Sequence, residues 1–318
     1  MELSTFWFIV IAFLWTGYFV LEGFDFGVGG QLPLLARGEG DRRQVLGTIG
    51  PVWDGNEVWL ITAIGAMFAA FPSWYSGLLS SYYLPMLLVI VALIVRGIGL
   101  EWRGKVHNAR ERSLCDAGII VGSATSAFLW GAVFGHVLGD SAVATMIGGL
   151  LSLSLAALHG AVFITLKTDG AVRTRARRVA LGTAAVAVPA AAVALPAIPG
   201  STGTAGTWPA EPLVWISAVA AMAALAAAVA FVWRNREGLA FASTAAAIAF
   251  TTASLFGVLW QSPLPGLTVA EAASGPYTLT VLTWIGLFAL PFVLAYQAWT
   301  YWVFRRRLIR VGAQIRQP

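Results

Sequence analysis

The sequence predicts an all-α, polytopic membrane protein with about nine transmembrane helices. Three observations support this prediction: 58% of the 318 residues are hydrophobic, only 11% are charged, and the mean hydropathy is +0.77. A water-soluble domain of ordinary composition carries about 25% charged residues. Apolar runs of about 20 residues, the length that crosses a bilayer as a helix, recur along the whole chain. Their continuity excludes a transmembrane β-barrel, whose strands alternate apolar and polar residues.

The apolar runs define nine predicted spans within a single integral membrane domain, 1–318. They cover 5–27, 51–71, 78–100, 114–138, 142–165, 179–199, 212–233, 239–260 and 276–303. No small-residue cleavage pattern follows the first run, so we expect it to be retained as a span and not removed as a signal peptide. We expect spans one to four and spans five to eight to form two four-helix groups, with the ninth as an additional helix.

The placement of basic residues predicts the orientation of the chain. All 20 Lys and Arg residues lie near the ends of the first, third, fifth and seventh spans or in the tail after the ninth. The N-terminus and the connections near 72–77, 139–141, 200–211 and 261–275 carry none. Because basic residues concentrate on the cytoplasmic side of membrane proteins, we predict an outer N-terminus and a cytoplasmic C-terminus.

The excess of basic over acidic residues therefore does not indicate a nucleic-acid partner, since membrane topology and attraction to anionic lipid account for it. Cys115 is the single cysteine, so neither an intramolecular disulfide nor a thiolate metal site is expected. The stretch "GFDFGVGG" is rich in glycine, but it lacks the Lys and Ser/Thr of a phosphate-binding loop. These observations exclude several soluble enzyme classes and leave the membrane-embedded polar residues as the candidates for chemistry.

The three histidines do not predict a haem or metal site on this chain. His107 lies in a basic connection, His136 near the outer end of the fourth span, and His159 toward the inner end of the fifth. No two share a helix and a depth, so two histidines facing each other across a haem are not expected. A His–Met arrangement stays open, because three methionines lie in spans. We predict no metal site, since the usual His and Cys spacings are absent.

Four carboxylates in the first two spans are the strongest functional signal. Glu22 and Asp25 are three residues apart and so share one helix face, and Asp54 and Glu57 repeat this spacing. The first pair closes its span and the second pair opens the next, so all four should lie at similar depth near the cytoplasm. Carboxylates within spans usually face the bundle interior and mark proton or ion paths.

A structural role for these acids is the competing interpretation. Pro51 suits the first position of a helix, and an acid in the following turn, such as Asp54, favours the positive helix end. Asp25 would then form an ion pair with Arg96 or a loop arginine. One helix end cannot account for acids on both spans, however, so the structural interpretation explains the four together less well than it explains any one.

Two motifs give the chain a resemblance to a known family. "GFDFGVG" (23–29) and "PVWDGNEVWLIT" (51–62) resemble the signatures of subunit II of the cytochrome bd-type quinol oxidases. The similarity continues through 82–105, 115–139 and 277–304 and covers roughly half of the chain. Between 165 and 260 the chain is similar only in hydropathy.

The resemblance implies a nine-span subunit of the bacterial or archaeal type of cell membrane, paired with a haem-bearing subunit I. In this family subunit I carries haems b and d and the quinol-oxidising loop, and subunit II has no haem ligands. The complex oxidises quinol, reduces oxygen to water and takes protons from the cytoplasm. Some members hold a structural quinone in subunit II, and small accessory subunits are further partners that the sequence leaves open.

The resemblance also implies roles for individual residues. The predicted proton path consists of Asp54, Asp25, Glu57 and Glu22, with Trp53, Arg96 and Glu101 as supporting residues. Asp54 is the principal candidate, and Trp53 lies beside it. Relatives often carry an uncharged polar residue at the position of Glu57, so Glu57 either conducts protons or tunes Asp54.

Two other functions remain compatible with the residues themselves. A proton-coupled secondary transporter also needs intramembrane acids and broken helices, although no matching pair of interrupted spans occurs in the two halves. A purely structural scaffold for subunit I would use the acids for packing. A transporter should work alone in liposomes, whereas an oxidase subunit should co-purify with a haem-bearing partner.

Overall fold

The computed structural model describes residues 2–200 and 211–308, and the regular elements of these ranges are helices. They are α1 (Leu3–Gly30), α2 (Leu32–Leu35), α3 (Glu39–Ile49), α4 (Trp53–Ala70), α5 (Pro72–Ser81), α6 (Tyr83–Trp102), α7 (Ala109–Gly139), α8 (Ala142–Lys167), α9 (Gly170–Gly200), α10 (Glu211–Trp233), α11 (Glu237–Leu259), α12 (Val269–Ala272) and α13 (Pro276–Val303). Most of the predicted connection 200–211, and Arg310 and Arg316 of the basic tail, lie outside the described residues.

Among the described residues, eight helices are long and apolar enough to cross a membrane by themselves. The consecutive helices α4 and α5 pass the same test only as a pair and are bent by 119° at Phe71. Counting that pair as one broken span gives the predicted nine. The prediction of a third span over 78–100 was wrong at its start, because 78–81 belong to α5 and the straight helix begins at Tyr83.

The break at Phe71 has a local cause in Pro72, which lacks the N–H that would continue the hydrogen-bond ladder of α4. The carbonyl groups freed at the end of α4 are hydrogen-bonded by a distant residue instead. Ser274 donates its backbone N–H to Ala70 O (2.8 Å) and its hydroxyl to Ala69 O (2.7 Å). The predicted connection 72–77 is therefore part of a short helix, held beneath the loop that precedes α13.

The helices pack as two four-helix groups, as predicted. In the first group α1 packs against α4 and α7, and α7 packs against α6; in the second, α8, α9, α10 and α11 form a closed ring of neighbours. Two helices of the first group join it to the second: α7 packs extensively against α8, and α1 packs against α8 and α11. Helix α13 contacts mainly α1 and α4, and Leu279 is its single fully buried side chain in the described chain.

Small residues allow the two groups to approach closely where α1 crosses α8. A Cβ atom built on Gly27 would lie 1.9 Å from the carbonyl oxygen of Ala156, and one on Gly160 would lie 2.5 Å from Gly27 C. Such backbone contact is possible only for glycine, and small residues at crossings are the usual means by which membrane helices pack tightly. The crossing fixes α1 between the groups at the depth of Asp25.

One end of the bundle, which we call the basic face, carries the described Lys and Arg residues other than the buried Arg96, together with a lattice of ion pairs. Arg103, after α6, donates to both carboxylate oxygens of Glu39 (3.1 and 2.9 Å) and to Asp116 Oδ1 (2.5 Å). The Arg103 guanidinium holds the pKa of Glu39 below its usual range. Arg175 of α9 pairs with Asp41 of α3. These contacts anchor the short helix α3 across the ends of α6, α7 and α9.

A buried carboxylate cluster as the candidate functional site

Helix α1 brings two carboxylates into the interior near the basic face. Glu22 and Asp25 are completely buried, as is Arg96 of α6, which approaches from the opposite side. The three-residue spacing places both acids on the same side of α1, as predicted. Buried charges are stable in a low-dielectric interior only when they have ionic or hydrogen-bonding partners, so the contacts of these groups determine what the site can do.

Arg96 is the centre of the site. Its Nη1 lies 2.5 Å from Glu22 Oε1 and 3.4 Å from Glu57 Oε1 of α4, and its guanidinium carbon lies 5.1 Å from the centre of the Phe26 ring. One guanidinium therefore joins carboxylates of two helices. The prediction that the inner acids of the first two spans meet at one depth agrees with this geometry. The alternative pairing of Asp25 with Arg96 does not, because Glu22 holds the ion pair.

Asn56 connects Asp25 to the rest of the site. Its side-chain amide donates to Asp25 Oδ2 (2.7 Å), and its side-chain oxygen accepts from Tyr301 Oη (2.8 Å) and Gln297 Nε2 (3.0 Å), both of α13. Sequence reasoning missed all three amide and phenol partners. The available signal was Asn56 itself, a polar residue between two acids at the start of an apolar span. We call Glu22, Asp25, Asn56, Glu57 and Arg96 the carboxylate cluster.

Asp54, the principal predicted site residue, lies outside this cluster. It is exposed on the surface of the isolated chain, whereas Glu57 is largely buried. A helix turns about 100° per residue, so Asp54 lies roughly 200° from the inward-facing Asn56, and Glu57 only about 100° from it. The expectation that Asp54 and Glu57 face the same interior was therefore wrong. Asp54 faces away from the bundle, on the outer side of α4.

Of the three predicted supporting residues, Arg96 belongs to the carboxylate cluster, whereas Trp53 and Glu101 lie outside it. The ring of Trp53 lies against α6, because a Cβ atom on Gly97 would be 3.5 Å from it. Glu101, in the last turn of α6, is exposed and pairs with Lys105 at 2.5 Å. It thus belongs to the basic face and is not a member of the carboxylate cluster.

The histidines and the remaining acids form no metal-binding group in the described ranges, where no set of three or more His, Cys, Asp or Glu side chains could hold an ion. His159 Nδ1 lies 2.6 Å from Thr244 Oγ1, and its Nε2 lies 3.1 Å from Val20 O. Both nitrogens of this buried ring are thus engaged inside the chain. His136 Nδ1 lies 3.2 Å from the hydroxyl of Tyr82.

The fold and the cluster together define a class: a multi-span helical membrane subunit with carboxylates buried around one arginine near its basic face. A family model described as cytochrome bd terminal oxidase subunit II matches residues 3–304. The chain belongs to this family and is a subunit of an oxidoreductase complex of the cell membrane. Membership in this family of oxidase subunits implies a partner subunit I.

Individual relatives agree with this assignment over the full length of the chain. The chain is 38% identical to the cytochrome bd ubiquinol oxidase subunit 2 of Bacillus subtilis, covering 96% of this chain and 97% of the relative. It is 28% identical to the cytochrome bd-I ubiquinol oxidase subunit 2 of Escherichia coli, covering 93% and 92%. A chain of the bd oxidase structure from Geobacillus thermodenitrificans shares the fold, with a TM-score of 0.79 at 17% identity over 96% and 99% of the two chains.

Proposed function

We propose that this chain, as subunit II of a bd-type quinol oxidase, carries protons from the cytoplasm toward subunit I through the carboxylate cluster. The complex oxidises quinol and reduces oxygen to water, a reaction that consumes protons, and haems b and d lie on subunit I. The observation that supports the proposal is the meeting of carboxylates from α1 and α4 at the completely buried Arg96. Family membership excludes the transporter alternative, and the purely structural scaffold remains the competing role to be tested.

The charge balance of the cluster favours proton binding. The cluster contains three carboxylates and one guanidinium, so it holds more negative than positive charge when all are ionised. Excess charge in a low-dielectric interior is costly, and a bound proton relieves that cost. Asn56 links Asp25 to α4 and α13 by hydrogen bonds, which keeps the carboxylate in a fixed position. The cluster therefore suits reversible proton binding better than permanent packing.

The exposure of Asp54 is explained if subunit I covers this face. Val58, Ile61 and Phe68 follow Asp54 along the same side of α4, and all three are exposed in the isolated chain. An acid at this depth is costly against lipid. We propose that the partner subunit packs against this side of α4, with Asp54 transferring protons from the carboxylate cluster to it.

Asp54→Asn tests the proton path. The amide preserves shape and hydrogen bonding but cannot release and rebind a proton, so we expect oxygen consumption per haem to fall about tenfold or more, roughly 1.4 kcal/mol on the barrier. Haem content and assembly should stay near normal. Asp25→Asn should behave in the same way, and Glu57→Gln should have a smaller effect.

Asp140→Asn is a matched control, because Asp140 follows α7 at the opposite face and its side chain is 95% exposed. It should leave turnover unchanged. The scaffold role predicts the reverse for Asp54→Asn: assembly and haem are lost first, and the surviving complexes turn over normally. Unchanged turnover per haem in Asp54→Asn and Asp25→Asn would remove these residues from an essential path.

We further propose that the basic face is cytoplasmic and that the N-terminus lies outside. Cysteines placed at Ser73 and at His107, both exposed, would lie on opposite sides of the membrane. In a Cys115→Ser background, a membrane-impermeant thiol reagent should label position 73 in intact cells, and position 107 only after the membrane is opened. Labelling of both positions in intact cells would contradict the span count, and the inverse pattern would contradict the orientation.

An apolar cavity of about 350 Å³ between α1, α7, α8, α9 and α11 suits the tail of a structural quinone. Phe26, Trp130, Phe134 and Leu255 are among its lining residues. The hydroxyl groups of Thr251 and Thr252, which also line it, donate to carbonyl groups of their own helix. Such a lining offers few polar partners for a head group and fits a hydrocarbon chain. We propose a quinone tail as its occupant.

A further inference from the structure

A row of polar residues follows one side of α7 from the basic face into the bundle. Asp116, Ser123, Ser126 and Trp130 are spaced by seven, three and four residues, so they share one helix face. All four are buried. Asp116 is the outermost of the row and pairs with Arg103 and Arg42 at the basic face. The two serines lie deeper in the bundle and have no role in the proton path proposed above.

The hydroxyl groups of Ser123 and Ser126 have no hydrogen-bond partner among the described residues, although both side chains are completely buried. This is unusual within the chain itself. Ser154, Thr252 and several other buried or half-buried hydroxyl groups donate to a carbonyl three or four residues earlier in their own helix. Burying a hydroxyl without a partner is unfavourable, and an ordered water commonly provides one.

The packing of α7 on α1 places these serines beside the carboxylate cluster. The two helices run in opposite directions: Trp130 donates to the hydroxyl of Tyr18 (2.9 Å), and a Cβ atom on Gly29 would lie 2.2 Å from Ser123 Oγ. Glu22 and Asp25 lie between Tyr18 and Gly29 on α1, so Ser126 lies opposite them at the same depth.

Arg96 reaches this depth from α6. A Cβ atom on Gly122 of α7 would lie 2.8 Å from Arg96 Cβ, and long helical side chains extend toward the N-terminus of their helix, here toward the level of Glu22. Arg96 Nε and Nη2 and Asp25 Oδ1 also have no hydrogen-bond partner in the described part of the chain. Buried donors and acceptors from three helices thus converge on the junction of α1, α6 and α7.

We propose that ordered water molecules bind at this junction, held by Ser123 and Ser126, and connect the row on α7 to Glu22, Asp25 and Arg96. Serine hydroxyls both donate and accept, so each can bind a water and pass on its hydrogen bond. Both serines are then positioning residues, Ser126 at the depth of the carboxylate cluster and Ser123 on its cytoplasmic side. Their effect on turnover rests on the proposed proton path, whereas the bound water does not.

The direct test is a structure of the assembled oxidase at a resolution that shows ordered water. We expect density within hydrogen-bonding distance of Ser126 Oγ and of a carboxylate oxygen of Glu22, and its loss in Ser126→Ala. The carboxyl infrared band of Glu22, identified by its absence in Glu22→Gln, should shift in Ser126→Ala. A purely packing role of the hydroxyl would leave that band in place.

Turnover provides the functional readout, with Ser154→Ala as the matched control, since its hydroxyl donates to Leu151 O of the same helix (3.0 Å). Ser126→Ala and Ser123→Ala should reduce oxygen consumption per haem about threefold or more, while Ser154→Ala leaves it unchanged. Haem content, measured in parallel, separates turnover from assembly.

Two results would overturn the inference. The first is a junction without water density in the wild-type complex. The second is normal turnover per haem in both serine variants while Asp25→Asn is impaired. The proposed proton path fails differently: Asp54→Asn and Asp25→Asn would then turn over normally, whether or not water is seen at the junction.

Discussion

The two four-helix groups have similar architecture but opposite internal chemistry. The first, α1 with α4, α6 and α7, contains the carboxylate cluster around Arg96. Within the predicted spans of the second group, 142–165, 179–199, 212–233 and 239–260, His159 is the single ionisable side chain of the sequence. The rest of its interior is built largely from alanine, leucine and valine. A helical bundle of this size therefore needs no buried charge to pack, and the charges of the first group require another explanation.

The two polar sites also differ in how completely their hydrogen bonds are satisfied. Both nitrogens of His159 have partners, and its ring stacks on Phe241 with centres 4.6 Å apart. Asp25 Oδ1 and Arg96 Nε have none among the described residues. A saturated site stabilises one arrangement, whereas an unsaturated one can bind water or exchange protons. The comparison favours a structural role for His159 and supports the proposal of a functional role for the cluster.

Arg96→Leu should destabilise the first group more than any other substitution proposed here. Removing one partner of a buried ion pair leaves Glu22 uncompensated and destabilises by about 3–5 kcal/mol. We expect little assembled, haem-containing complex, measured by haem content and thermal denaturation in detergent. Normal assembly would show that the cluster tolerates an unpaired charge and that the contrast between the groups is overstated.

Combining Arg96→Leu with Glu22→Gln sharpens that test. The double variant removes the buried ion pair, so the interior of the first group carries less buried charge and is closer in this respect to that of the second. It should recover a large part of the assembly lost in Arg96→Leu, because replacing both charges of a buried pair costs far less than removing one. Its oxygen consumption per haem should remain low. Recovery of both properties would mean that the ion pair serves packing alone.

His159→Phe should have an intermediate effect that is confined to stability. The phenyl ring keeps the stacking on Phe241 but loses the hydrogen bond to Thr244, whose hydroxyl retains its bond to Phe241 O (2.9 Å), so the cost should be about 0.5–1.5 kcal/mol. Oxygen consumption per haem should match that of the wild type. Adding Thr244→Val should cost less than the sum of the two single changes, because the residues are coupled. Reduced turnover in His159→Phe would extend the functional region into the second group.

Glu39→Gln should have the smallest effect, because the pair with Arg103 is partly exposed and such pairs contribute about 0–1 kcal/mol. The pKa of Glu39 is lower in the folded chain than the usual 4.5. Its contribution is therefore complete above about pH 5 and is lost as the pH falls through the lower, folded pKa. The difference in thermal stability between wild type and Glu39→Gln should vanish in acid. A difference that persists or grows there would contradict this assignment.

The number of spans and the depth of the acids could be predicted from the sequence, because both depend on local features. A bilayer fixes the length of an apolar run, and the positions of Asp25 and Glu57 at the ends of two such runs fix their depth.

The rotation of α4 about its own axis could not be predicted. Trp59 and Met67 on its buried side are no more apolar than Val58 and Ile61 on its exposed side. In a membrane both sides of a helix can be apolar, so hydropathy does not distinguish the inner from the outer side. For the same reason hydropathy does not show that Asp54 lies on the outer side of α4. The contact of Tyr301 with Asn56 joins residues 245 positions apart, and no local pattern indicates it.

The two hydrogen bonds that Asn56 accepts from α13 have a consequence for biogenesis. A polytopic chain is synthesised and inserted from its N-terminus, so α1, α4 and α6 are in the membrane well before the ninth span leaves the ribosome. Asn56 gains Gln297 and Tyr301 only when that span arrives. Until then a polar site remains incomplete inside the bilayer. A prematurely terminated chain would therefore lack two hydrogen bonds at the cluster to which we assign the proposed proton path.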